Sequence, residues 1–460
     1  MKFNARQLIS RFQDIVGSDY FLTDPADTVC YSFDASGYEK APWAVVLPEN
    51  TEQVSRILGI CSSNQIPVIP RGAGSGTTGA SVPVSNSLVL CLTRMKTIKS
   101  INRVELSCVA EPGVITGRLQ KKVEERGLFY PPDPASLSFC TIGGNVNTCA
   151  GGARAVKYGV TRDYVRSLEV VLADGSVIRA GASTAKGVVG YDLRHLFVGA
   201  EGTLGIVTEI TLKLLPLPEA VGTLAATFPS SLQAIESVTC LFRSGILPRC
   251  AEFLDGPSLK CISELLPFDV GPADQAFLLV EVDGPSGSVA SQLEKVKKCL
   301  GQNRGASLFV PEGQADTSML WNARRKLSPA IKKLGFQRKI SEDICVPRAA
   351  LTKMLAFLQE LDKNTPITIL SFGHAGDGNL HVNLLFNEEE LESEGQVKEI
   401  IKRIMERTVE LGGTISGEHG IGIAKSPFLS LELKPRTIEL QRQIKRVFDP
   451  CNILNPSKIF

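Results

Sequence analysis

Pro70-Arg71-Gly72-Ala73-Gly74-Ser75-Gly76-Thr77-Thr78-Gly79 follows directly on an apolar run at residues 66–69. The run reads as a short strand, and the segment after it as a loop able to hold an anion. Its closely spaced glycines let backbone N–H groups converge on one point, and Ser75, Thr77 and Thr78 add hydroxyl donors. No Gly-Lys-Ser/Thr closes the loop, so it is not the phosphate loop of the nucleotide hydrolases. Nor does it open a clean helix with an acidic residue about twenty positions on, so a Rossmann dinucleotide site fits poorly. Taken alone, the segment is explained as well by a surface loop.

Two further segments shift that balance. Pro131-Pro132-Asp133-Pro134 leads into Thr141-Ile142-Gly143-Gly144-Asn145 and Ala150-Gly151-Gly152, and later comes Gly199-Ala200-Glu201-Gly202-Thr203-Leu204-Gly205-Ile206. Polar glycine loops from separate parts of one domain can wrap a pyrophosphate from two sides. Three of them argue for a large phosphate-bearing cofactor.

Around these segments the pattern predicts an amphipathic helix over 4–16, a strand over 44–47, and a helix ending near 64. Asn50 caps that helix, with Gln53 as its capping-box partner. Strands are expected at 88–92, 108–110 and 208–214, a helix around 117–126, and a hairpin of 169–173 with 177–179 about Asp174-Gly175. Residues after 219 alternate strands such as 276–282 with amphipathic helices at 290–299 and 349–361, an α+β arrangement. The expected division is 1–218, 219–425 and a C-terminal segment 426–460.

Composition narrows the function. A chain of 460 residues with 43% hydrophobic side chains holds two or three domains of about 100–200 residues each. Fifty basic against 48 acidic residues give no electrostatic reason to expect nucleic acid or anionic lipid. No apolar run approaches the roughly 20 residues that cross a bilayer, and no apolar signal stretch opens the chain. The expectation is a soluble, cytoplasmic protein with no transmembrane segment. Its 12 cysteines are scattered singly without Cys-x-x-Cys, so iron–sulfur and zinc-ribbon spacings are absent.

Histidine is scarce, and three of the four (His374, His381, His419) lie in the last hundred residues within glycine-rich segments. In Gly373-His374-Ala375-Gly376-Asp377-Gly378-Asn379-Leu380-His381-Val382-Asn383, two histidines seven apart face opposite sides of a regular strand. The glycines break that regularity, so both imidazoles can converge. His381 and Asn383 then share one face, with Leu380, Val382 and Leu384 on the other. Ser416-Gly417-Glu418-His419-Gly420 supplies a carboxylate and a further imidazole. Two histidines and a carboxylate suit Zn²⁺, Mn²⁺ or Fe²⁺. His195, between apolar residues at helical spacing, reads as a surface helix residue.

The glycine segments and the histidine motifs together resemble the vanillyl-alcohol oxidase / p-cresol methylhydroxylase superfamily. The resemblance spans nearly the whole chain and is to the branch of D-lactate dehydrogenase, D-2-hydroxyglutarate dehydrogenase and the D-type glycolate oxidase subunit. It implies an α+β fold: a two-subdomain FAD-binding domain, an α+β substrate (cap) domain, and a C-terminal tail returning to the FAD domain. It implies FAD held by Pro70, Arg71, Gly72, Ala73, Gly74, Ser75, Gly76, Thr77, Thr78 and Gly79. Pro132, Asp133, Ser136, Gly143, Gly144, Asn145, Gly151 and Gly152 support it, as do Glu201, Gly202, Ile206, Val207 and Asn455. Ala200 stands where the family usually has serine. No histidine matches an attachment position, and Cys140 falls where this branch commonly carries an unattached cysteine, so the FAD is expected to be non-covalent.

The resemblance also assigns His374, His381 and Glu418 as metal ligands and His419 as the base. Arg324, in Trp321-Asn322-Ala323-Arg324, matches a substrate-carboxylate contact; by itself it reads rather as a solvated helix charge, since Arg325 and Lys326 follow. Lys339 matches a second cationic contact, Asn383 a further one, and Ser328 a position where a relative has threonine. The implied activity is oxidation of a D-2-hydroxy acid, D-lactate foremost, with D-2-hydroxyglutarate and glycolate as alternatives. An alkyl-glycerone-phosphate synthase chemistry fits the whole-chain pattern less well. A non-catalytic electron-relay subunit is opposed by the intact histidine motifs. With no internal cluster relay, electrons are expected to leave to a partner protein such as an electron-transferring flavoprotein or an iron–sulfur subunit.

Overall fold

The Asn50 side chain accepts a hydrogen bond from the Gln53 N–H and so starts the helix Thr51–Asn64, as predicted. The Gln53 side chain reaches back one residue further than expected, to the Glu49 N–H at 2.8 Å. These details come from a computed structural model that describes residues 5–272, 275–302, 305–390 and 394–460. The opening helix runs Ala5–Val16; Asn4 lies outside the described residues. The chain divides into two compact units. The first comprises Met1–Gly151, Val160–Leu217 and Glu418–Phe460, and the second Gly152–Gly159 and Pro218–Gly417.

The first unit holds a four-stranded sheet of β1 (Phe21–Leu22), β2 (Ala44–Val46), β3 (Val68–Arg71) and β4 (Leu88–Cys91). Its order is β1-β2-β4-β3, with β2 and β3 parallel to β4. Among the strand ladders of the described residues, parallel pairing is confined to this sheet. A second sheet of β5 (Ile98–Asn102), β6 (Ser107–Ala110), β8 (Val165–Val171), β9 (Val177–Gly181) and β10 (Ile206–Lys213) is antiparallel, in the order β5-β6-β10-β8-β9. β7 (Leu128–Phe129) and β11 (Leu215–Pro216) form a separate ribbon. The β8–β9 turn carries Gly175 at φ 88°, where a Cβ would come within 2.6 Å of the Ser55 carbonyl. The Asp-Gly turn therefore also seats the sheet on the helix Thr51–Asn64. Phe12, Ile57, Leu58, Val68, Leu90, Ile206 and Leu454 share one core.

β3 starts two residues later than predicted and takes in Pro70 and Arg71. Gln65 ends the preceding helix in the left-handed conformation, and pairing begins only where both neighbours reach the chain. Val68 pairs with Leu88 on one side. On the other, its N–H donates to the Ile453 carbonyl and its carbonyl accepts from the Asn455 N–H. The tail thus extends this sheet.

The second unit is built on seven strands: β12 (Ala220–Phe228), β13 (Cys250–Asp255), β14 (Ala276–Gly284), β15 (Ser307–Phe309), β16 (Arg338–Cys345), β17 (Thr368–His374) and β18 (Asn379–Phe386). Their order is β15-β12-β14-β13-β17-β18-β16, and every neighbouring pair is antiparallel. The helix Gln314–Lys332 lays Leu320, Ala323, Leu327 and Ile331 on one face of this sheet, against Leu254, Phe277, Leu370 and Leu385. Those helical positions recur at the spacing of one buried stripe. β18 is buried along its whole length: Leu380, Val382 and Leu384 face the core as predicted, and the His381–Asn383 face is covered as well. Among the described residues no helix is long and apolar enough to cross a membrane.

Candidate active site

In the first unit the three glycine segments meet. A Cβ on Gly72 would clash with the Thr141 hydroxyl, and one on Gly202 with the Pro70 ring. The Gly199 and Glu201 N–H groups donate to the carbonyls of Val146 and Asn147. Glycine is required at 72 and 202 because another segment occupies the space a side chain would need. The second segment is no loop: Thr141 caps the short helix Ile142–Thr148, which takes in Gly143, Gly144 and Asn145. Pro132 and Ser136 lie in the turn before it, where their carbonyls accept from Gln120 and from Phe139 and Cys140; Asp133 lies between them. Ile206 and Val207 open β10 as buried residues.

Arg71 lays its guanidinium against Gly74 of its own loop, where a Cβ would strike it. Its guanidinium donates to the carbonyls of Phe33 and Cys30, and burial lowers its pKa. Thr77 offers the better contact: its hydroxyl is sealed from solvent and has no hydrogen-bond partner among the described residues, which a phosphate oxygen would satisfy. The loop residues Ala73, Gly74, Ser75, Gly76, Thr78 and Gly79 carry no regular secondary structure. The segment thus fits the pyrophosphate of FAD.

The tail is tied to the same place. Asn455 donates to the carbonyls of Ala80 and Glu201. The Glu201 carboxylate accepts the Ile421 and Gly422 N–H groups at 2.6 and 2.9 Å. Burial still pushes its pKa up to about 7. Thr78 donates to the His419 carbonyl at 3.3 Å, and a Cβ on Gly151 would lie 2.7 Å from Glu418 Oε2. Cys140 is buried, its thiol 3.3 Å from the Thr116 hydroxyl. His195 is exposed and paired with Asp192, as predicted for a surface helix.

In the second unit the histidines stand on two strands rather than one. β17 ends at His374, residues 375–378 turn, and β18 brings His381 opposite Phe372. The rings lie 5.3 Å apart at 88°. Gly378 sits at φ 91° in the turn, where a Cβ would strike the Val346 carbonyl. His374 Nδ1 is 2.5 Å from Glu252 Oε1, and His381 Nδ1 is 3.6 Å from Asp343 Oδ1. His374 thus holds Nδ1 at hydrogen-bond distance from a carboxylate, the arrangement found behind metal-bound imidazoles, while His381 Nδ1 only faces one; the donor set fits a divalent cation. Asn379 fixes Asp343 through a 2.6 Å hydrogen bond. A Cβ on Gly417 would collide with that amide, so glycine is needed immediately before Glu418. Gly152 belongs to this unit.

Arg324 is buried, unlike its neighbours Arg325 and Lys326, and its Nε and Nη2 both donate to Glu252 Oε2 at 2.8 Å. It is not a solvated helix charge. Burial alone raises the Glu252 pKa, but the His374 and Arg324 side chains beside it outweigh that and hold the carboxyl below the ordinary glutamate range. Lys339 donates to the Ser328 hydroxyl at 2.8 Å; burial, with Lys332 nearby, pushes its pKa down to about 8. Asn383 is fully buried, its amide donating to the His381 carbonyl.

Sequence reading missed Glu252 and Asp343. It also missed a buried cluster in which Arg249 pairs with Glu281 and Asp283. Trp321 donates to Glu281 at 2.6 Å, while Lys157 and Tyr158 hold Asp283. A signal was present for Glu252, Glu281 and Asp283, which interrupt apolar strands, where a charge persists only with partners; Asp343 lies in a largely polar strand.

Residues 217–459 match the family model described as FAD linked oxidases, C-terminal domain, and residues 42–181 match FAD binding domain. The chain is 42% identical over 450 residues to glycolate oxidase subunit GlcD of Bacillus subtilis (strain 168), covering 97% of this chain and 95% of that protein. It is 34% identical over 463 residues to D-lactate dehydrogenase of Anaerostipes hadrus, covering 98% and 97%. A crystal structure of p-cresol methylhydroxylase with substrate bound superposes with a TM-score of 0.81 at 18% identity, over 99% of this chain and 96% of that one. That likeness concerns the fold alone.

Proposed function

The chain belongs to the FAD-linked oxidases, and from that premise we propose that it oxidises a D-2-hydroxy acid, D-lactate to pyruvate, and hands the electrons to another protein. One observation carries the reading: a buried guanidinium, Arg324, shares a carboxylate with one of two facing imidazoles. An anion-holding cation and a ligand pair so close suit a small molecule bearing a carboxylate next to a hydroxyl.

FAD, held non-covalently by the glycine segments, supplies the two-electron acceptor that no side chain provides. His374, His381 and Glu418 would hold a divalent cation (zinc, manganese or iron), which would supply Lewis acidity toward a hydroxyl oxygen. The protein's own residues do the rest. Arg324 and Lys339 hold the substrate carboxylate and Asn383 orients it, converting a random encounter into one geometry. His419 takes the hydroxyl proton, and the hydrogen on C2 leaves as hydride. The electrons then go to an electron-transferring flavoprotein or an iron–sulfur subunit; that the Bacillus subtilis relative is named a subunit supports this.

Anaerobic mixing with D-lactate, L-lactate, glycolate and D-2-hydroxyglutarate tests the proposal. D-Lactate should bleach the flavin band fastest and L-lactate should not. Failure of every D-2-hydroxy acid to bleach it would overturn the reading. Glycolate is the second reading, favoured by the name of that same relative, and faster bleaching by glycolate would select it.

A further inference from the structure

We propose that Glu252 is the positioning residue of the site, one carboxylate that aligns the metal-binding imidazole of His374 with the substrate-binding guanidinium of Arg324. The inference rests on the function proposed above and names a residue outside it. Glu252 lies directly opposite His374 in the β13–β17 ladder, so the two side chains project from the same face side by side. Its side chain is 1% exposed, and a carboxylate that deep persists only when both oxygens are satisfied. They are divided between the two groups: Oε1 meets His374 Nδ1, and Oε2 meets Nε and Nη2 of Arg324.

Each contact leaves its partner with one defined way to act. A carboxylate on Nδ1 holds the proton there and leaves the Nε2 lone pair for a cation. On the other side, a guanidinium has five N–H bonds. Two are committed to Glu252, and three remain to meet a carboxylate from substrate. The Arg324 guanidinium also lies 4.8 Å from the centre of the Phe372 ring, itself 5.4 Å from that of His381, so it cannot swing away. Asp343 behaves differently: it stands 3.6 Å from His381 and is held by Asn379. Glu281 and Asp283 serve Arg249. Of Glu252, Asp343, Glu281 and Asp283, Glu252 is the one joined to both proposed functional groups.

The test uses the full-length, FAD-loaded protein stripped of metal with a chelator and titrated with Zn²⁺, alongside KM and kcat for D-lactate. Glu252→Gln should keep the flavin spectrum, lower Zn²⁺ affinity on the order of 10- to 100-fold, and raise KM as Arg324 loses its orientation. Glu252→Asp should recover part of the Zn²⁺ affinity. Wild-type Zn²⁺ affinity and KM in Glu252→Gln would overturn the proposal. Should that variant fail to fold because Arg324 is left buried without its carboxylate, the pair Glu252→Gln with Arg324→Met removes both charges. It should fold, bind FAD and still bind Zn²⁺ weakly. Wild-type Zn²⁺ affinity in the pair, or its failure to fold, would assign Glu252 a structural part only. A wild-type protein that turns over D-lactate without binding Zn²⁺, Mn²⁺ or Fe²⁺ marks failure of the metal reading itself, and is told apart by appearing before any substitution.

Discussion

Lys339 has the most altered acidity of the residues assigned to substrate. Burial favours its neutral amine, so the ammonium is complete well below pH 8 and is lost as the pH rises through about 8. A charge-assisted contact to a carboxylate is worth about 1.5–3 kcal/mol. KM for a D-2-hydroxy acid should therefore rise about tenfold or more between pH 7 and pH 9.5, with kcat changing less. Lys339→Arg should flatten that rise, because a guanidinium stays charged throughout. A wild-type KM that does not move across this range would remove Lys339 from the substrate site.

At the scale of elements, the β17–β18 hairpin sets where the two imidazoles stand, and Gly378 sets the hairpin. Its φ of 91° lies in the left-handed region, and the Val346 carbonyl occupies the space a Cβ needs. Gly378→Ala should destabilise the protein by about 2–5 kcal/mol, the left-handed cost of about 1–2 kcal/mol plus the clash. Gly245 is the control: its φ is 71°, yet nothing lies within 4 Å of a Cβ there. Gly245→Ala should show only the backbone cost, about 1–2 kcal/mol. Urea titration of both variants measures the difference. Equal losses would mean that the close approach to Val346 does not matter. Gly378→Ala should also weaken Zn²⁺ binding, and Gly245→Ala should leave it alone.

For the whole molecule, the proposal is that segments from positions 70–79, 141–152 and 199–207, together with the tail at Asn455, hold FAD without a covalent link. His195 is exposed and paired with Asp192. Acid precipitation should release all the flavin; colour left on the denatured protein would contradict non-covalent binding. The 12 cysteines are free thiols and none follows the Cys-x-x-Cys spacing of cluster ligands, in keeping with the proposal that another protein takes the electrons. Oxidation of D-lactate should be slow with oxygen and fast with an artificial dye, and rapid turnover with oxygen alone would make the protein an oxidase.

What the sequence determined by itself were the features written in local spacing. The capped helix after Asn50, the Asp-Gly hairpin, the alternation of β18 and the glycine segments follow from residue types a few positions apart, and so did the candidate residues His374, His381 and Glu418. Tertiary structure decided the rest. β3 starts at Val68 because the tail, some 385 residues later, pairs beside it. Thr141 opens a helix where a loop was expected, because Gly143 packs against Pro112. Arg324, one of three consecutive basic residues, is distinguished only by which face of its helix meets the sheet. Glu252 gave no motif at all: its importance comes from strand register, which places it opposite His374, 122 residues away. Short-range patterns record what a residue and its neighbours prefer. The pairing of a buried charge with its counter-charge is settled only when distant strands come side by side.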